Sequence, residues 1–308
     1  MAYILIVAVI VGGVNVWYLA LDTNDSTWTQ KFRDVPEDIQ ICNFGSSHGL
    51  YGYNYEDLED EYTCFNFALD SQRLSYDVRI MKHYQDKLQE GTIVFITISY
   101  FSFYGIDETE EEDFLSKNLR YYHFMPKDLI KEYDLKTAFY EKYFPALRAY
   151  DELPEVLLGK NSDSNETYKI WDEVSTNIDV KQNAMGAYKR HLVDNKLDAD
   201  GERILNQQEV DALYEMLSIC KDIGAIPVLV ITPYLAEYPR EVQNGFPVFL
   251  EEFYSLLTQI VVENDVQIFD YSNDTRFSEA YHLFMNADHL NKTGARYFTN
   301  ILCEEILQ

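Results

Sequence analysis

The stretch Ile39-Gln-Ile-Cys-Asn-Phe-Gly-Ser-Ser-His-Gly49 joins an apolar run to a turn of small residues. The apolar part, Ile39 to Phe44, predicts a buried β-strand, and the small residues predict a sharp turn into a helix. A serine on such a turn can expose its hydroxyl for attack while backbone N–H groups point at a developing oxyanion. Taken alone, the stretch also fits an ordinary Ser/Gly turn.

Four more strand-like runs and several amphipathic stretches follow along the chain. The runs lie at Tyr62 to Phe67, Thr92 to Ile98, Ile226 to Thr232 and Val266 to Tyr271, and the helix-length stretches at Leu74 to Leu88, Gln208 to Ile223, Phe249 to Val262 and Thr293 to Leu307. This alternation predicts an α/β protein, a flavodoxin-like three-layer α/β/α sandwich around a mostly parallel five-stranded sheet. In such folds, catalytic groups collect at the carboxyl ends of the strands.

Two regions depart from this alternation and set the predicted boundaries. Residues 105–204 are aromatic and acidic and lack a convincing strand, so we interpret them as a helical insertion within a domain spanning 39–308. The first 21 residues contain an uncharged stretch from Ala2 to Leu21, long enough to cross a ~30 Å hydrocarbon layer. It predicts a transmembrane signal anchor at 1–21, followed by a linker at 22–38. A cleaved signal peptide and a buried first helix are the alternatives.

Composition excludes several classes of protein. The 308 residues carry 52 acidic and 25 basic side chains, a formal charge of -27 that argues against nucleic-acid binding. The four cysteines show no CxxC or His-paired spacing typical of zinc sites or thioredoxin-like chemistry. Cys42 and Cys64 lie in runs that predict neighbouring strands, which leaves a disulfide between them open.

A second segment with chemical potential precedes the last predicted helix. It reads Asn286-Ala-Asp288-His289-Leu-Asn-Lys-Thr-Gly294 and places an imidazole among carboxamides and a carboxylate. A general base needs a partner that orients its ring and stabilises its protonated form, and this loop offers both. His289 is therefore the predicted base.

Together the two segments resemble the SGNH/GDSL hydrolase superfamily. Gly45-Ser46-Ser47-His48 stands at the Gly-Asp-Ser block and His289 at the Asp-x-x-His block, in the family's chain order. The resemblance implies that Ser47 is the nucleophile and His289 the general base. It also implies an oxyanion hole formed by the backbone N–H of Ser47, by Ser71 at the second-block Gly and by Ser99 at the third-block Asn.

The chain departs from the superfamily at the third member of the triad. Where the family has Asp three residues before the base, this chain has Asn286, so Asp288 becomes the alternative carboxylate. A neutral amide orients an imidazole but stabilises imidazolium less well. A non-catalytic glycan-binding or scaffold relative in an envelope-modification complex is therefore the second hypothesis.

The branch resembled most is the membrane-anchored group associated with cell-envelope modification, which includes relatives of the teichoic-acid D-alanylation protein and of alginate O-acetyltransferases. The resemblance implies an extracytoplasmic, serine-dependent O-acyltransferase or esterase that is held in the cell membrane by a single span. It implies an acyl-Ser47 intermediate, an envelope polysaccharide, teichoic-acid-like polymer or polyol as acceptor, and a multi-pass membrane O-acyltransferase as partner. No metal or organic cofactor is expected.

Polar side chains near the predicted cleft are the candidates for substrate binding. They are His48, Gln72, Arg73, Tyr100, Tyr234 and Arg240. For His48, which lies on a rigid turn beside Ser47, packing or a hydrogen bond within the protein is the favoured alternative. The two arginines are notable because positive charge is scarce in this chain. A third hypothesis, a nucleotide-binding flavodoxin-like protein whose Gly45 turn cradles phosphate, explains the sheet but not the segment around His289.

Overall fold

A computed structural model describes residues 9–17, 29, 31–144, 179–245 and 248–307. Within it, one five-stranded sheet runs in the order β2-β1-β3-β4-β5, and every neighbouring pair is parallel. The strands are β1 Ile39–Phe44, β2 Cys64–Asn66, β3 Leu88–Thr97, β4 Ile226–Ile231 and β5 Gln267–Asp270. This is the strand order of flavodoxin-like doubly wound sheets, so the predicted α/β class and parallel sheet are confirmed.

The helices follow the predicted alternation, with short 3-10 turns between them. In chain order they are α1 Ser47–Gly52, α2 Leu74–Tyr84, α3 Phe114–Asn118, α4 Leu135–Tyr143, α5 Val180–Leu192, α6 Gln207–Ile223, α7 Glu237–Gly245, α8 Phe249–Asn264 and α9 Lys292–Leu307. Residues 9–17 are also helical. Asn206 caps α6 by accepting the N–H of Gln208, and Gly224 ends that helix in the left-handed conformation.

The central strands are buried on both faces. Alternate residues such as Phe95 and Val230 join a cluster with Phe298 of α9, while their neighbours Val94 and Leu229 are buried as well. Because successive side chains of a strand point to opposite faces, helices must cover both sides of the sheet. The continuous apolar runs in the sequence reflect this double burial.

The chain divides into two compact units. One consists of residues 1–35 and 112–170, and the other of residues 36–111 and 171–308. The second unit contains the whole sheet, both predicted catalytic segments and α5. The predicted limits of the anchor, linker and insertion stay predictions.

Of the predicted anchor, only residues 9–17 fall within the described residues, and the rest of 1–21 lies outside them. Among the described residues, no single helix is long and apolar enough to cross a membrane. α7 and α8 pass that test as a pair by length and composition, but they are bent by 104°.

The four cysteines are free thiols. Cys42 pairs across the sheet with Phe65, and Cys64 pairs with Ile41, so the two sulfurs are out of register. The disulfide left open by the sequence is therefore not formed. In a parallel pair, a shift of one residue turns the two side chains to opposite faces of the sheet.

Candidate active site

The turn after β1 is built for close packing. Gly45 has φ of 141°, and a Cβ at this position would lie 2.7 Å from the Cβ of Thr97. Its N–H donates to Oδ1 of the buried Asp77 at 2.9 Å. Only glycine combines this backbone angle with so close a neighbour. The turn places Ser47 at the first position of α1, at the carboxyl end of the sheet.

Ser47 meets His289 at this edge. The Nε2 atom of His289 lies 2.8 Å from Oγ of Ser47, although 242 positions separate the two residues. The loop that carries His289 is held by a bridge between Phe284 and Leu290, and the carbonyl of His289 accepts the N–H of Met285 at 3.0 Å. The predicted nucleophile and base are therefore brought together at hydrogen-bonding distance.

Asn286 orients the ring of His289. Its Oδ1 accepts the backbone N–H groups of Asp288 at 3.1 Å and His289 at 2.8 Å, and it lies 3.1 Å from Nδ1 of His289. The two backbone donors identify this atom as the carbonyl oxygen, so Nδ1 must carry the proton. In the neutral ring, Nε2 is then unprotonated and accepts a hydrogen bond from the Ser47 hydroxyl, as a general base requires.

Asp288 lies at the centre of three imidazoles. Its Oδ2 is 3.3 Å from Nε2 of His48, 3.5 Å from Nδ1 of His289 and 3.7 Å from Nδ1 of His191. Burial raises the pKa of this carboxyl, but the attraction of His289, His48 and His191 outweighs it and holds the pKa well below its ordinary value. The site therefore contains a buried carboxylate beside the base.

The base itself is neutral in its resting state. Burial lowers the pKa of His289, and the neighbouring Asp288 offsets this only in part. Among more distant groups, Asp70 raises this pKa, while Arg190 lowers it. A neutral imidazole next to a fixed negative charge can take a proton and have the resulting cation stabilised at once.

The predicted oxyanion residues differ in how the structure uses them. Ser71 has φ of 52°, in the left-handed region that favours glycine, as expected where the resemblance places a glycine. Ser99 is engaged elsewhere, since its Oγ lies 2.7 Å from Nδ1 of His48 and its N–H donates to Ser102. We therefore reassign the Ser99 hydroxyl from the oxyanion hole to the support of His48.

Two of the six predicted substrate contacts are buried in protein interactions instead. Gln72 donates to Asp77 at 2.6 Å beneath the Gly45 turn. Tyr100 is fully buried and packs against Tyr234, and burial raises its pKa to about 12. These positions support the site because they anchor the loops that form it.

The remaining predicted contacts also have protein partners or lie apart from the dyad. The hydroxyl of Tyr234 lies 3.2 Å from Nδ1 of His48. Arg73 donates to the carbonyl of Ile106 at 2.7 Å and pairs with Glu111. Arg240 is exposed on α7. His48 is an interior residue with 1% of its surface exposed, so of its two predicted roles the structure fits packing and hydrogen bonding rather than substrate contact.

Sequence reasoning missed His191. It comes from α5, within the predicted insertion, and its Nδ1 lies 2.9 Å from the hydroxyl of Tyr238. Its ring also packs against Phe101 with centroids 4.4 Å apart. No motif surrounds His191, and only the folded chain brings it within 3.7 Å of Asp288.

The same side chains include a metal-type donor set. Ligand atoms of His48, Asp288 and His289 all lie within 4.8 Å of one another. A cation bound by Asp288 would compete with the hydrogen bond between Nε2 of His48 and Oδ2 of Asp288. The donor set thus fits a hydrogen-bonded network that leaves His289 free to act as a base better than it fits a resident metal.

Comparisons with known proteins add little. No protein-family profile matches this chain, and no curated protein is significantly similar to it. A crystal structure of a candidate acylhydrolase from Bacteroides fragilis is similar at a TM-score of 0.40 and 11% identity, over 92% of this chain and 96% of that one. At these values the similarity carries no argument about activity, so the interpretation depends on the site geometry.

Proposed function

We propose that this protein is a serine-dependent ester hydrolase or O-acyltransferase. The observation that carries the proposal is the 2.8 Å contact between Oγ of Ser47 and Nε2 of His289, with the Nδ1 proton of that ring directed at Asn286. Nucleophile, base and orienting group within hydrogen-bond reach are the signature of covalent acyl transfer.

The chemistry follows from the proton positions. His289 takes the hydroxyl proton as Oγ of Ser47 attacks an ester carbonyl, and Asp288 stabilises the imidazolium that forms. The intermediate collapses to acyl-Ser47, and His289 returns the proton to the departing alkoxide. In the second half, His289 deprotonates water or an acceptor hydroxyl, which attacks the acyl group and releases Ser47 with its proton restored.

The finer proposal concerns location and substrate. The uncharged stretch from Ala2 to Leu21 and the resemblance to the envelope-modifying branch support a membrane-associated, extracytoplasmic enzyme. They support a cell-envelope polysaccharide, teichoic-acid-like polymer or polyol as acceptor, with a multi-pass membrane O-acyltransferase as donor partner. A hydroxyl group of any of these acceptors needs only the base His289 to attack the acyl-serine, so the proposal includes no cofactor.

Intact-mass spectrometry tests the central proposal. The full chain is incubated with a fluorophosphonate and compared with Ser47→Ala, His289→Ala and the control His282→Gln, which replaces an exposed imidazole. We expect one adduct on wild type and on the control, and none on the other two variants. A folded wild-type protein without an adduct would contradict a working nucleophile.

Asn286 favours one second candidate, a glycan-binding relative without catalysis. A neutral amide stands where the superfamily has the triad acid, which weakens the stabilisation of imidazolium unless Asp288 supplies it. Failure of labelling together with retained binding of a cell-wall polysaccharide would favour this role.

A further inference from the structure

A buried branch of the site, His48 with Ser99 and Tyr234, reaches the base through Asp288. We propose that His48 is a positioning residue: its Nε2–H holds the Asp288 carboxylate beside His289, and the Ser99 and Tyr234 hydroxyls hold the ring in the orientation that makes this hydrogen bond. The inference rests on the proposed function of Ser47 and His289. His48 touches neither nucleophile nor substrate in this assignment.

The orientation of the His48 ring follows from its neighbours. Two hydroxyl oxygens face Nδ1, Ser99 Oγ at 2.7 Å and Tyr234 Oη at 3.2 Å. A carboxylate oxygen, Oδ2 of Asp288, faces Nε2 at 3.3 Å. An ionised carboxylate only accepts hydrogen bonds, so Nε2 carries a proton and donates it to Asp288, while Nδ1 is held by the two hydroxyl groups. The imidazole is thus a donor aimed at Asp288.

Without this donor, the carboxylate would be poorly satisfied. Asp288 is 1% exposed, and its Oδ1 has no hydrogen-bond partner among the described residues. Of the three imidazoles near Oδ2, only His48 meets the distance and angle of a hydrogen bond. A buried, unpaired carboxylate is costly, so loss of His48 would draw Asp288 into a closer pair with His289.

This closer pair would change both the pKa and the position of His289. Stronger pairing with Asp288 would raise the pKa of His289 and draw its ring away from Ser47. The other charged or titratable groups acting on His289 and Asp288 are Asp70 after β2, Arg190 and His191 on α5, and Tyr238 on α7. His48 also lowers the pKa of His289 directly, so a position-48 variant combines this effect with the loss of the Asp288 contact. The double variant described below keeps His48 and therefore separates the two.

The test is the pH dependence of p-nitrophenyl acetate hydrolysis by the full chain. For His48→Phe we expect kcat to fall by about tenfold to 10²-fold, as misplaced catalytic groups do. We expect KM to stay unchanged and the acid limb of kcat/KM to move to higher pH. His48→Gln retains an amide donor near the Nε2 position and should restore kcat to within about threefold of wild type. The matched control is His282→Gln.

A double variant tests the orientation of the ring without substituting His48. Ser99→Ala with Tyr234→Phe removes both hydroxyl partners of Nδ1, so the ring is no longer held with Nε2–H aimed at Asp288. We expect a shift of the acid limb in the same direction as for His48→Phe. This variant also decides the question if His48→Phe does not fold.

Two results would overturn the proposal. One is an unchanged acid limb in both His48→Phe and the double variant, which would leave His48 a packing residue. The other is a loss of activity in His48→Gln as large as in His48→Phe, with the limb unmoved. Both require that wild-type Ser47 reacts with the fluorophosphonate, because a lack of that reaction contradicts the proposed function instead.

Discussion

Two serine–histidine pairs share one carboxylate in this protein. The outer pair is Ser47 and His289, joined through Nε2 at 2.8 Å, and the inner pair is Ser99 and His48, joined through Nδ1 at 2.7 Å. The second ring nitrogen of each histidine lies near Oδ2 of Asp288. Nδ1 of His289 is 3.5 Å from this oxygen, and Nε2 of His48 is 3.3 Å from it. The chemical groups are the same, but their surroundings differ.

Exposure and local backbone separate the two roles. The side chain of His289 is 11% exposed, whereas that of His48 is 0% exposed, and Ser99 is buried more deeply than Ser47. Ser47 opens a helix after a glycine turn, while Ser99 follows β3 and bonds to Ser102. The comparison shows that a serine–histidine contact defines a nucleophile only where a substrate can reach it.

The largest expected effect separates the pairs directly. Ser47→Ala should lower kcat for p-nitrophenyl acetate by about 10⁶, as loss of a catalytic serine does, because no other hydroxyl can form the acyl intermediate. Ser99→Ala should lower it by about tenfold, through the position of His48. Burst kinetics of p-nitrophenolate release measure both. Equal losses in the two variants would contradict the division into outer and inner pairs.

The next largest effect comes from the shared carboxylate. Asp288→Asn removes the charge that stabilises imidazolium, so kcat should fall by about 10² to 10⁴. The same charge raises the pKa of His289, so its loss should move the acid limb of kcat/KM to lower pH. A pH series of initial rates checks both. An acid limb that moves to higher pH would show that Asp288 is not the charge acting on the base.

Asn286→Asp gives the opposite shift with a smaller effect on rate. A carboxylate 3.1 Å from Nδ1 should raise the pKa of His289 and move the acid limb to higher pH. We expect kcat to change by less than about tenfold, because the hydrogen-bond geometry is retained. Asn286→Leu is the matched control, since it removes the acceptor without adding charge. Its acid limb should not follow that of Asn286→Asp.

The smallest effect concerns stability rather than rate. Burial lowers the pKa of His191 well below its ordinary value, so the unfolded chain binds this proton first. The neutral His191 side chain therefore stabilises the folded protein fully above about pH 6.5. As the pH falls from there toward the folded-state pKa, the free energy of unfolding decreases by at most about 1.4 kcal/mol per pH unit.

His191→Phe should therefore reduce the acid destabilisation. Urea unfolding at about pH 7.5 and about pH 5 should show a smaller difference in midpoint for the variant than for wild type. His282→Phe, at an exposed position, serves as the control and should leave the difference unchanged. An equal difference in His191→Phe and wild type would mean that His191 does not titrate across this range.

Much of the fold was readable because the strands are apolar and the helices amphipathic. The parallel sheet and the positions of Ser47 and His289 at its edge were expected from local pattern alone. The predicted strand at Tyr62 to Phe67 is shorter in the structure, at Cys64–Asn66, because pairing with β1 ends there. The residue at which a strand ends depends on its pairing with a neighbouring strand, and a local sequence pattern holds no information about that pairing.

The supporting contacts of the site were not readable. The resemblance implied that Ser99 is an oxyanion donor, and the sequence left His48 open between a substrate contact and packing on its turn. Their mutual hydrogen bond depends on the packing of Tyr234 and Asp288 around them, 186 and 240 positions from His48. His191 had no recognisable setting at all.

The sequence by itself determined the succession of strands and helices along the chain, the glycine turn that presents Ser47, and the loop that carries His289. These features follow from periodicity, backbone freedom and residue chemistry over short stretches. Only the tertiary structure decided which carboxylate serves the base and which imidazoles hold it. Hydrogen bonds and charges act over a few ångströms in space, and the three imidazoles around Asp288 become neighbours only when the sheet and α5 have packed.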